Sequence, residues 1–89
     1  MSEKEKITVK DHHGFNYDCE IEHHPNHGFT LARYRGSIIG DCSLGRILHP
    51  TSDDDREWER WQERFGEWKD EIKSNLIPVC QRYFNQQKL

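Results

Sequence analysis

Residues 53–73 read DDDREWERWQERFGEWKDEIK, and the fold turns on them. Set on a helix, Trp58, Trp61, Phe65, Trp68 and Ile72 fall on one line, at spacings of 3, 4, 3 and 4, and the line continues to Leu76. All three tryptophans of the 89-residue chain lie on it. Burying one such ring is worth roughly 2–3 kcal/mol, so the helix should lie across something flat and apolar. Thr51 or Ser52 is placed to accept the free backbone N–H groups at its start, and Asp53, Asp54 and Asp55 oppose the positive end of its dipole. Lys69 and Lys73 suit the other end. Pro78 lacks a donor and crowds the preceding turn. A break near Ser74-Asn75 is therefore expected, with a short second helix from about Pro78 to Gln86; one helix kinked at Pro78 is the alternative.

The flat surface is supplied by the first half of the chain. Ile7, Val9, Phe15, Tyr17, Cys19 and Ile21 occupy odd positions, and Lys6, Thr8, Lys10, Asn16, Asp18, Glu20 and Glu22 stand between them. That period of two marks strands with one face on a core. Turn-forming residues interrupt it at Asp11-His12-His13-Gly14 and again at His23-His24-Pro25-Asn26-His27-Gly28. A third strand begins at Phe29 with Leu31 facing inward. Arg33 would then also face inward, so a bulge or strand end is expected near it. Arg35-Gly36 marks a third turn, and Ser37 to Cys42 forms a fourth strand in which Ile38 and Ile39 are adjacent rather than alternating. From Ser43 to His49 a connection offers Leu44, Ile47 and Leu48 to plug the core edge. The expectation is one α+β domain: a three- to four-stranded antiparallel β-meander, then a long amphipathic helix and a short C-terminal helix on one sheet face. Residues 1–5 are expected to be a flexible terminus and 6–87 the domain.

Composition narrows the class. Hydrophobic and charged residues each make up 33% of the chain, near the border with disorder, but ten aromatics favour a small ring-built core. The net charge of −3 disfavours non-specific nucleic-acid binding, which needs a basic face. Cys19, Cys42 and Cys80 are odd in number and far apart, and there is no apolar leader or spanning stretch. A cytoplasmic protein with reduced thiols and no membrane contact is the reading.

Two motifs suggest chemistry. His23, His27, Cys42 and His49 could approach one another if the fourth strand runs back toward the second turn, giving imidazole and thiolate ligands suited to zinc. Only His23 and His27 show the short spacing of a structural site, and Pro25 lies between them. The histidines could equally give a response near pH 6. Cys42 sits within Gly40-Asp41-Cys42-Ser43-Leu44-Gly45, which looks like the surroundings of a nucleophile, but a thiolate needs a base and an oxyanion pocket. Without those, and without a phosphate loop, no catalytic residue and no cofactor are assigned.

Acidity concentrates on the helix. Residues 53–73 carry nine acids and five bases, against seven and six in residues 1–52. Glu59, Glu63 and Glu67 form a row four apart, flanked by Asp55 and Asp70, with Arg56, Arg60 and Arg64 in a parallel row close enough for salt pairs. In size and in the lack of a catalytic pattern the chain resembles, as a class, small proteins of bacteria, phages and mobile elements that act by binding another protein. The reading is a non-enzymatic protein-interaction module, an inhibitor or regulator whose partner protein meets Asp55, Glu59, Glu63, Glu67 and Asp70. Homodimerisation is a sub-case. A zinc module, or a nucleic-acid binder using Arg33, Arg35 and Arg46, is the alternative.

Overall fold

Alternation in the first two strands carries through the whole sheet, because residues paired across an antiparallel ladder share a face. The computed structural model describes residues 3–86. Four strands, β1 (Glu3–Lys10), β2 (Asn16–His24), β3 (Phe29–Tyr34) and β4 (Ser37–Ser43), form one antiparallel sheet in the order β1-β2-β3-β4, and one helix, α1 (Asp55–Gln86), packs on it. The architecture is α+β, as the pattern implies. Strand β1 begins at Glu3, inside the stretch read as flexible; residues 1, 2 and 87 lie outside the described residues.

The third strand corrects the expected facing. Ile21 and His23 point toward α1 and pair with Ala32 and Thr30, so these, not Leu31, are buried. The bulge near Arg33 is present. Ala32 pairs with Gly40 but Arg33 pairs with Ile38, which leaves Ile39 as the extra residue. This resolves the adjacent isoleucines: Ile39 is buried and Ile38 is 55% exposed. Across one row of the inner face the residues shrink from Ile21 to Ala32 to Gly40. A Cβ on Gly40 would stand 2.8 Å from Val79 Cγ1, so the missing side chain lets α1 settle directly on β4.

Among the described residues there is no separate short helix, because α1 runs unbroken through Pro78. A proline inside a helix costs about 3 kcal/mol. Pro78 lies on the exposed side, where water can solvate the carbonyl that loses its donor. Leu76, Cys80 and Phe84 continue the buried line past it, and Phe84 stacks on Tyr17 with ring centroids 4.0 Å apart. Each buried side chain of this size contributes roughly 1.5–3 kcal/mol, which together exceeds the proline penalty.

The tryptophan half of α1 lies only partly on the sheet: Phe65 and Trp68 meet the His23 ring of β2, with centroids 6.2 and 5.9 Å apart. One core cluster joins Leu76, Cys80 and Phe84 to Val9, Cys19, Ile21, Ala32 and Ile39; a second joins Trp61, Phe65, Trp68 and Ile72 to Cys42, Leu44 and Ile47. A helix of 32 residues is about 48 Å long, longer than the strands beneath it, so its first half overhangs onto the β4–α1 connection. The second turn holds that connection in place. Leu44 N–H donates to Gly28 O at 2.9 Å, Ile47 N–H to Pro25 O at 2.8 Å, and Trp68 Nε1–H to Gly45 O at 2.9 Å. Leu48, expected to plug the core, is 62% exposed.

The β3–β4 hairpin turns on Arg35 and Gly36, with φ of 51° and 85°. Two positive values make a tight primed turn, which an arginine occupies at a cost of about 1–2 kcal/mol. Arg35→Asn is expected to raise stability by roughly 0.5–1 kcal/mol, read from the urea midpoint; a fall would show that the arginine side chain holds the turn.

Candidate functional site

The residue that caps the start of α1 is Asp54, not Thr51 or Ser52. Its carboxylate accepts Arg56 N–H at 3.0 Å, and its carbonyl accepts Glu57 and Trp58 N–H. Ser52 supports the start instead: its hydroxyl donates to Glu57 Oε2 at 2.6 Å, and its carbonyl accepts Trp58 Nε1–H at 3.0 Å. Residues 51–60 are all exposed, as are Glu63, Arg64, Glu67 and Asp70. The partner-binding set read from the sequence thus lies on one outward face. Trp58, 36% exposed, and Leu48 are its nearby large apolar groups.

Charge on this face is not balanced from within. The salt pairs expected between the acidic and arginine rows do not form: among the described residues, Arg56, Arg60 and Arg64 have no carboxylate within 4.0 Å. Each arginine stands three residues before its glutamate, the weaker orientation on a helix. The two lysines turn away. Lys69 Nζ lies 2.8 Å from Glu3 Oε2, and Lys73 Nζ lies 2.8 Å from Glu5 Oε1. Four residues of helix rise about 6 Å and two of strand about 6.6 Å, so Lys69/Lys73 and Glu3/Glu5 match in step. Among the described residues, Asp70 is the only one of the nine acids in residues 53–73 with a lysine near it, Lys73 at 3.8 Å.

Beneath these clasps lies a buried polar chain. His23 is fully buried; its Nδ1 is 2.9 Å from Thr30 Oγ1 and its Nε2 is 3.0 Å from Glu5 Oε2. With His23 neutral, Nε2–H donates to Glu5 and Nδ1 accepts from the Thr30 hydroxyl, so both ring nitrogens are satisfied. Burial lowers the His23 pKa against the opposing pull of Glu5. Burial alone would raise Glu5, but hydrogen bonds from Lys73 and His23 outweigh it and hold the carboxyl below its usual range. Both directions make acid destabilising. A histidine kept neutral by the fold loses stability as pH falls through its unfolded value of about 6.5, and a carboxylate with a lowered pKa loses it below about 4.3. Urea unfolding is expected to show falling stability from pH 7.5 to 5.5, and His23→Gln to flatten that slope. An unchanged slope would assign it elsewhere.

The four residues considered for zinc are dispersed. His23 spends both nitrogens inside the fold; His24 points to the opposite sheet face; His27 is exposed in the turn. His49 Nδ1 pairs with Asn26 Oδ1 at 3.1 Å, and its ring stacks on Trp61 at 4.4 Å. Among the described residues no three of His, Cys, Asp or Glu are grouped to hold a metal. The hydrogen-bond contact of Cys42 Sγ is Ser43 O at 4.0 Å. Burial raises the Cys19 thiol and pushes Cys80 up to about 11. Arg33 and Arg35 share a hollow of about 570 Å³ on the outer sheet face with Lys6, but Asp18 and Glu20 line it too, and Arg46 lies outside it.

Sequence reading placed the acidic row but missed the Thr30–His23–Glu5–Lys73 chain. Its signal was present in the matched steps of Glu3/Glu5 and Lys69/Lys73. Among the described residues no helix is long and apolar enough to cross a membrane. No family model, curated protein or solved structure matches the chain.

Proposed function

We propose that the chain is a non-enzymatic protein-interaction module, an inhibitor or regulator, that docks a basic surface of a partner protein on the outer face of α1. One observation carries the reading: Lys69 and Lys73 are drawn to β1, which leaves Asp55, Glu59, Glu63, Glu67 and their neighbours faced outward with only three arginines beside them. Charge of this kind sets encounter rate and selectivity, and Trp58 and Leu48 supply the apolar anchors.

The test is capture of a partner from host extract by wild type and by the triple variant Glu59→Lys, Glu63→Lys, Glu67→Lys. Reversal of Glu20 and Glu22 on the sheet serves as control. The reading expects loss with the helix variant, retention with the sheet variant and weakening with added salt. Equal capture by wild type and helix variant would refute it.

A further inference from the structure

Where the overhanging half of α1 meets the second turn, a hollow of about 410 Å³ lies between Glu3, Pro25, His49, Trp61, Gln62, Phe65 and Lys69. It falls within the size range of small-molecule sites. Its wall is aromatic: His49 stacks on Trp61 at 4.4 Å and 25°, and Trp61 meets Phe65 at 4.9 Å and 34°. A single cation stands at its rim. Lys69 Nζ lies 4.6 Å from the Phe65 ring centre and 2.8 Å from Glu3 Oε2.

Of the three indoles, that of Trp61 lines this hollow. The Trp58 and Trp68 indole N–H groups donate to the carbonyls of Ser52 and Gly45, at 3.0 and 2.9 Å. Trp61 Nε1–H is buried with no acceptor among the described residues. An orphaned buried donor costs about 1–3 kcal/mol, and folded chains keep few of them. The site thus holds a spare N–H beneath its wall and an ammonium at its rim, while its one carboxylate, Glu3, is already committed to Lys69 and the exposed Gln62 amide is neutral. The missing partner is an anionic acceptor on a flat apolar body.

We propose that this hollow binds a small aromatic carboxylate. The ring lies against Trp61 and Phe65. The carboxylate takes the place of Glu3 at Lys69 and accepts the Trp61 N–H once His49 gives way. Glu3 has a side chain 49% exposed, so it is free to swing into solvent. The site is separate from the outer face of α1 and does not depend on what that face binds.

Titrating benzoate and 2-naphthoate into uniformly 15N-labelled protein tests it, with benzylamine and benzyl alcohol as cationic and neutral controls. The three indole N–H signals are the readout, and Trp61→Phe assigns the relevant one while keeping a ring in the wall. The carboxylates are expected to move the Trp61 signal downfield by about 10 mM, the range of a weak small ligand, and to leave the Trp58 and Trp68 signals in place. Lys69→Gln should weaken binding about three- to fivefold, and Glu3→Gln should tighten it by a similar factor. These opposite directions separate binding from general loosening of the fold. A static Trp61 signal, an equal response to benzylamine, or weaker binding in Glu3→Gln would each overturn the proposal.

Discussion

Trp68→Ala is expected to lower the unfolding free energy by about 3–5 kcal/mol. Trp68 is 5% exposed, lies 5.9 Å from the rings of both His23 and Phe65, and donates to Gly45 O. Truncation opens a cavity where the second cluster meets the sheet, and it frees a carbonyl of the connection. An average domain of this length has about 4–13 kcal/mol in total, so the variant should be marginal, with a melting temperature lower by about 15–30 °C. The comparison is Trp58→Ala, which removes a ring 36% exposed and its bond to Ser52 O and should cost only about 1 kcal/mol. Urea titration of the two variants measures the difference. Equal losses would mean that the first half of α1 is not seated on the connection.

Gly28→Ala is the second large effect. Gly28 has φ of 80°, and a Cβ there would stand 2.9 Å from the Gly45 carbonyl carbon and 3.1 Å from Arg46 N. The obstacle is backbone, which cannot rotate aside. Roughly 1–2 kcal/mol comes from the left-handed conformation, and separation of the turn from the connection should bring the total to about 2–4 kcal/mol. Gly14→Ala isolates the first component: its φ is 88°, but nothing lies within 4 Å of its Cβ position. Matching costs at the two sites would show that the turn and the connection are not in contact. A larger cost at Gly28, accompanied by a change in tryptophan fluorescence, is the expected result.

The part of this fold legible in the sequence is the part written in periodicity. The odd positions Ile7, Val9, Tyr17, Cys19 and Ile21 and the line from Trp61 to Leu76 depend on local geometry, and both faces were readable from residue type; Phe15, expected on the same inner face, is 60% exposed because it lies in the turn before β2. Leu31 misled because the facing of β3 follows its pairing with β2, and the pairing follows a turn whose length sequence alone does not set. Pro78 misled because a local penalty was outweighed by Leu76, Cys80 and Phe84, whose burial is a tertiary fact. The connection from Ser43 to His49 carried no periodicity. Its role as the seat of the tryptophans rests on backbone contacts to Pro25 and Gly28, for which residue type gives no sign beyond the glycines themselves. The acidic row was legible as composition. Its lack of counter-ions became visible only once Lys69 and Lys73 were seen to reach across to β1.

A single rod seated on two unlike supports has a kinetic consequence. The C-terminal portion of α1 rests on strands tied together by continuous backbone ladders, whereas the portion near Trp61 rests on a segment held by two amide bonds to a turn. Deuterium should therefore enter the helix in two tiers, with amides of the first four turns exchanging through a partial opening that leaves those around Leu76 and Cys80 protected. That opening would release the aromatic wall and the carboxylate row together, so whatever engages either one would slow exchange across both.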